Sequence, residues 1–330
     1  MVLSIKVEKK NAQKIKTELL EKNLINLDYK MGSDKNYVYF PVLGEYKNYD
    51  LINKKFEKNK LKPIKLSQIF QKILPKSKIN SSKRSYDLIG DIAIVEFEDE
   101  IKKYEKRIAE ELLNSNKKIK VVAKKPKKIT GKFRIRKIEV LAGEKRTITE
   151  YREAGCRFIF DLNKTYFSQR LGKERLRIAN LVKPNEKVLV MFSGISPFGI
   201  VIGKMHPFAK IWNIELNKYA AKTAEKCIKL NHLENHVYSI QGDVKKDLPN
   251  EKFDRIIMVL PHENHNYLKE ALSVAKKGAF IHMYSIQNEE KINSFSKELE
   301  KKYKIKLKNI EKAGDYGPNI WRYCLEFLLN

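Results

Sequence analysis

Residues 187–198 read KVLVMFSGISPF, and this stretch decides the fold. Val188, Leu189, Val190, Met191 and Phe192 are apolar without a break. A strand with one wet face alternates apolar and polar side chains; an unbroken run signals burial on both faces. The run ends in Ser193-Gly194-Ile195-Ser196, and Pro197 stands where a helix would take its first residue. A buried strand, a tight glycine turn and a helix are the opening unit of a parallel sheet wound with helices.

Outward from this unit the alternation continues. Lys187–Phe192, Lys210–Ile214, Val237–Gln241, Phe253–Leu260 and Ala279–Tyr284 read as strands. Helical spacing fits Pro197–Met205, Asn217–Leu230, Asn264–Ala275 and Glu289–Tyr303 between or after them. The end differs: Ile305–Glu311 and Trp321–Leu328 are strand-like and joined by KAGDYGPN, whose glycines and proline predict a hairpin. Residues 166–330 are therefore expected to form a doubly wound, Rossmann-like α/β domain closed by an antiparallel hairpin, the layout of class I methyltransferases.

Two smaller α/β regions precede it. Residues 1–60 read as strand, helix (Ala12–Asn23) and strand (Tyr37–Val42). Residues 61–165 carry a helix at Leu66–Leu74 and another at Ile101–Leu113. Strand-like runs there are Asp91–Phe97, Lys118–Val122, Phe133–Val140, Arg146–Tyr151 and Cys156–Asp161.

Ligands of such sheets bind beyond the C-terminal strand ends. Gly194 ends the first strand, Glu215 the second, Gly242-Asp243-Val244 follows the third, and Leu260-Pro261 ends the fourth. An acid at Glu215 can accept both hydroxyls of a ribose, and one at Asp243 can accept an adenine amine. Each is also a residue type that caps helices. Four such features in succession point to a nucleoside ligand. Neither a GxGxxG dinucleotide loop nor a Walker lysine loop is present. S-adenosyl-L-methionine is the cofactor that fits.

The formal net charge is +28 across 330 residues, which predicts a polyanionic partner. The run Lys117–Lys137 holds eleven basic residues and no acid. It reads as a phosphate-tracking surface on RNA. No apolar run approaches the roughly 20 residues of a membrane helix, so no membrane is expected. Cys156, Cys227 and Cys324 are far apart with no CxxC pair, which fits a reducing cytoplasm and excludes a disulfide framework. His262, His265 and His282 supply no spacing for a third ligand, so no metal is expected.

The segment Tyr166-Phe167-Ser168-Gln169-Arg170-Leu171-Gly172-Lys173-Glu174-Arg175 resembles the signature of archaeal and eukaryotic tRNA (guanine-37-N1)-methyltransferases. So do Phe133-Arg134-Ile135-Arg136, the stretch Leu141–Thr147, and the later MFSGISPF, NIELN, GDV and IHMYS. The resemblance covers nearly the whole chain. It implies methyl transfer from S-adenosyl-L-methionine to N1 of guanosine 37 in tRNA. If the three regions together enclose one tRNA, a monomer is expected, with no obligate protein partner evident.

Guanine N1 carries a proton at neutral pH, so the reaction needs a base and a cation or donor at O6. The resemblance assigns the base to Glu174 and the electrostatic partner to Arg134. From the residues alone, Glu174 could equally be one member of a helical ion pair, and Arg134 one more phosphate contact. Tyr166, Phe192, Gly194, Pro197, Leu216, Val244 and Pro261 are expected around the cofactor, with Arg175 on its carboxylate.

The chain departs from the family pattern at Val190, Ser196 and Val259, where an acid, a glycine and an asparagine are usual. These departures resemble the divergent archaeal subgroup of the wyosine pathway. They extend the expectation to methylation of carbon 7 of 4-demethylwyosine. Two alternatives stay open: aminocarboxypropyl transfer from the same cofactor, and a tRNA-binding protein without catalysis.

Overall fold

The computed structural model describes residues 1–22, 24–26, 28–47, 49–57, 65–79, 85–125, 135, 137–260, 262 and 264–330. The chain divides into two compact units, Met1–Ile64 and Lys65–Asn330. The first unit contains β1 (Val2–Glu8), α1 (Lys9–Glu21), β2 (Gly32–Ser33), β3 (Tyr37–Pro41) and β4 (Leu51–Lys54). Its antiparallel sheet runs β2-β3-β1-β4. Ile15 and Leu19, one turn apart on α1, share a core with Ile5, Val7 and Phe40. The two short strands β2 and β4 were not expected from the sequence; half-exposed LINK at β4 shows no strand alternation.

The second unit opens with α2 (Leu66–Ile73), α3 (Lys76–Ile79), β5 (Tyr86–Ile89), β6 (Ile92–Val95), α4 (Glu105–Ser115), β7 (Val121–Lys124) and β8 (Glu139–Gly143). Here the sheet order is β5-β6-β7-β8, with β6 and β7 parallel. β9 (Ile148–Glu153) and β10 (Cys156–Asp161) form a separate antiparallel pair. Of the expected strand Phe133–Val140, Phe133, Arg134 and Arg136 lie outside the described residues, and β8 covers only its end.

Then follow α5 (Gly172–Leu181), β11 (Lys187–Met191), α6 (Pro197–Met205), β12 (Lys210–Glu215), α7 (Lys218–Leu230), β13 (Val237–Gln241), β14 (Phe253–Met258), α8 (Leu268–Val274), β15 (Ala275–Asn288), α9 (Ile292–Tyr303), β16 (Ile305–Gly317) and β17 (Ile320–Leu329). They build a seven-stranded sheet in the order β13-β12-β11-β14-β15-β17-β16. The pairs from β13 to β15 are parallel, and β17 runs antiparallel to both β15 and β16.

β11 shows why its sequence is unbroken. Val188 and Val190 join an apolar cluster with Ile178, Phe198 and Cys227. Leu189 and Met191 join a second cluster with Phe253, Ile281 and Phe327. Successive side chains point to opposite faces, and helices cover both. Burying these four side chains contributes on the order of 6–12 kcal/mol before entropy is counted.

The terminal strands run further than expected. β16 continues through most of KAGDYGPN, and the reversal occurs at Pro318-Asn319, where Asn319 is left-handed at φ 55°. Register shifts between Leu307/Asn309, Lys312/Gly314 and Asp315/Gly317 absorb the glycines as bulges.

Candidate active site

The turn after β11 is unusual in its backbone. Phe192, Gly194 and Ser196 all have φ 60°. Two of the three are not glycine, and each such residue costs on the order of 1–3 kcal/mol. The conformation aims the Gly194 N–H at the end of β12, where Glu215 Oε2 accepts it at 2.8 Å. Glu215 Oε1 accepts the Asn217 N–H at 2.8 Å. Burial raises the Glu215 pKa above its ordinary value, and these backbone N–H groups oppose that rise. Glu215 therefore holds the loop and still has acceptor capacity on both oxygens.

A cavity of about 490 Å³ lies over these strand ends. That is within the roughly 300–1,000 Å³ of small-molecule sites. Phe192, Gly194, Glu215, Leu216, Asp243 and Val244 line it, as does Tyr166. Gly242 must be a glycine: a Cβ there would stand 2.6 Å from the Asp247 Cβ. Asp243 Oδ1 accepts the Lys245 N–H at 3.0 Å, so this acid shapes its own turn while facing the cavity.

Other candidates fall elsewhere. Pro197 is the first residue of α6 and does not line the cavity; it fixes the start of the helix. Arg134 and Pro261 lie outside the described residues. Arg175, expected on the cofactor carboxylate, is 1% exposed and does not line the cavity. Its guanidinium makes a two-point ion pair with Glu153 at the end of β9, with Nη2 2.7 Å from Oε2. It also donates to the Ser168 carbonyl at 3.1 Å and lies over the Phe167 and Phe198 rings. Its charge is thus already paired with Glu153, outside the cavity lining.

Glu174 is buried in the first turn of α5, one turn after Leu171, which lines the cavity. Arg177 Nε and Nη2 donate to its two oxygens at 2.8 Å each, and the Tyr284 hydroxyl donates to Oε1 at 2.7 Å. Arg177 Nη1 reaches onward to Glu326 on β17. Burial would raise the Glu326 pKa, but His282 and Arg177 outweigh it and hold the carboxyl near 2. His282 Nε2 meets Arg255 Nη1 at 2.6 Å, and Arg255 pairs with Glu186. His282 Nδ1 lies 3.7 Å from Glu326 Oε1 without a hydrogen bond, so the bonded groups form two sets, Glu174–Arg177–Glu326 and His282–Arg255–Glu186.

The nucleoside-sized cavity is walled by two acids, and the buried Glu174 carboxylate stands outside that lining, on the helix that follows Leu171. Sequence reading missed Tyr284, Arg177, Glu326 and Arg322. Arg322 on β17 lines the cavity, yet no local motif marks it.

Three family models match parts of the chain. Residues 149–311 match the TRM5/TYW2 methyltransferase domain, residues 66–147 the TYW2 N-terminal domain, and residues 4–50 the tRNA methyltransferase 5 N-terminal domain. The tRNA (guanine(37)-N(1))-methyltransferase Trm5b of Methanocaldococcus jannaschii is 33% identical, over 100% of this chain and 99% of its own length. The structure of aTrm5 in complex with tRNALeu superposes with a TM-score of 0.77 at 34% identity, covering 99% of this chain and 100% of that one. The Pyrococcus horikoshii TYW2 structure in complex with MeSAdo gives 0.67 at 29% identity, covering 80% of this chain and 97% of that one.

Proposed function

The chain belongs to the TRM5/TYW2 methyltransferase family, and on that premise we propose that it methylates N1 of guanosine at position 37 of tRNA. It is an S-adenosyl-L-methionine-dependent tRNA methyltransferase. The observation that carries the reading is the cavity at the strand ends, with Glu215 and Asp243 in its wall. Two carboxylates suit ribose hydroxyls and an adenine amine, and Phe192, Leu216 and Val244 suit the flat ring. When bound, S-adenosyl-L-methionine supplies an electrophilic methyl group on a sulfonium.

The remaining work falls to the chain. Glu215 would accept the ribose hydroxyls and Asp243 the adenine amine. Glu174 is proposed to take the N1 proton and Arg134 to face the developing charge at O6. Glu174 already stands between Arg177 and Tyr284, so one of those bonds must open first. Arg177 can leave without stranding its charge, because Glu326 still holds it. Residues 1–60 and 61–165 are proposed to grip the tRNA, as a monomer in the cytoplasm. In the described part of that surface Lys124 and Lys125 are paired with Glu105 and Glu96, whereas Lys118 and Lys120 are exposed.

The match of residues 66–147 to a TYW2 domain favours a second reading, aminocarboxypropyl transfer. The match of residues 4–50 to the other branch supports methyl transfer. Val259, where asparagine is usual, supports an additional methylation at carbon 7 of 4-demethylwyosine. Incubation with S-adenosyl-L-methionine and tRNA carrying guanosine 37, followed by nucleoside mass spectrometry, tests these readings. A methyl gain at N1 is expected. An aminocarboxypropyl gain would replace the proposal, and tRNA binding with neither product nor cofactor binding would overturn both.

A further inference from the structure

Resting on that cofactor assignment, we infer that Arg322 holds the carboxylate of the methionyl group of S-adenosyl-L-methionine. The amino-acid end of the cofactor carries a carboxylate beside its ammonium group, and the cavity wall is otherwise acidic, with Glu215 and Asp243 facing in. A carboxylate entering such a site is stabilised by a cation facing it. Arg175 is spent on Glu153 and stands outside the wall. Among the described residues, Arg322 supplies the one guanidinium or ammonium group in the cavity lining. Among them, too, its side chain has no hydrogen-bond or ion-pair partner, unlike Arg175, Arg177 and Arg255.

Its placement is rigid. The backbone of Arg322 is paired with Ile286 of β15 on one side and Gly314 of β16 on the other. Side chains alternate along β17, so Arg322, Cys324 and Glu326 share a face. That face carries Glu326 to Arg177 and so to Glu174. Arg322 therefore reaches the cavity from the strand that also braces the proposed base. A guanidinium matches a carboxylate with two parallel hydrogen bonds, a geometry that lysine cannot copy.

Titration calorimetry on the full chain tests this with two probes. S-adenosylhomocysteine carries the amino-acid tail, and 5′-methylthioadenosine lacks it. Arg322→Met should weaken S-adenosylhomocysteine binding roughly 10- to 100-fold, the scale of a charge-assisted pair. The same variant should leave methylthioadenosine affinity within about twofold, and Arg322→Lys should recover part of the loss. Equal losses for both probes would show a general disturbance of the site and overturn the inference. Unchanged affinity for both would also overturn it; a raised tRNA KM in that case would assign Arg322 to a phosphate. If the wild-type chain binds neither probe, the cofactor assignment itself falls, a result distinct from either variant outcome.

Discussion

Glu326→Gln removes one charge from the chain of buried groups that ends at Glu174. Glu326 is 8% exposed and titrates near 2 in the folded protein. An unfolded glutamate titrates near ~4.3, so the displacement corresponds to about 3 kcal/mol of folding free energy. The sign follows from the depressed value. The stabilisation is complete above the unfolded value and is lost as pH falls through the folded one. Glutamine keeps an acceptor for Arg177 but no charge, so about 3 kcal/mol is an upper bound. For a unit of this size that lowers Tm at pH 7 by up to roughly 6–12 °C. Calorimetric melts of wild type and variant from pH 7 down to pH 3 provide the assay. The gap in Tm should be widest at pH 7 and begin to close below about pH 4.3. Equal Tm at pH 7, or a gap that does not narrow in acid, would refute the reasoning.

Other substitutions probe the site and its supports. Glu174→Gln keeps the acceptor for Tyr284 and should lower turnover by roughly 100-fold or more, with cofactor and tRNA affinities nearly unchanged; single-turnover methylation rates that match wild type would remove Glu174 as the base. Glu215→Gln should weaken S-adenosylhomocysteine binding about tenfold or more by calorimetry; because burial raises the Glu215 pKa, wild-type affinity should begin to fall at a pH above the ordinary carboxylate range. Gly199→Ala would place a Cβ 2.1 Å from Oδ1 of fully buried Asn213, so α6 must shift from β12, at a cost of about 1–3 kcal/mol in urea titrations. Neutralising Lys117, Lys118 and Lys120 should lower the slope of log affinity for tRNA against log salt by up to about 0.9 for each phosphate no longer neutralised, and an unchanged slope would free that surface from the RNA.

The parallel sheet was legible because the unbroken apolar run of β11, the apolar end of β14 and the helical spacing of α6 and α7 agree locally. The edges were not. Tyr86–Ile89 is half-exposed with an acid inside it, and it becomes a strand only by pairing with β6. At the site, Glu215 and Asp243 could be found because a strand end is a local event. Arg175 could not be placed, since its partner Glu153 lies on β9 and only packing brings the two together. Adjacent residues on a helix point about 100° apart, so Glu174 and Arg175 need not serve one site. Arg322 carried no signal because it reaches the cavity through the position of β17 in the sheet, which no local pattern encodes.

The sheet order also constrains how the protein is made. β17 follows β15 and β16 in the chain yet sits between them. During synthesis the fourteen-residue β15 must wait with an unpaired edge until the hairpin has emerged and turned back. Such an edge invites pairing with other chains. Arg177 waits as well, holding Glu174 without its second counter-charge until Glu326 arrives. A nascent chain stalled before β17 would carry the cofactor loop and both acids, but neither a closed sheet nor a braced Glu174, so chaperone dependence should concentrate at the step that adds β17.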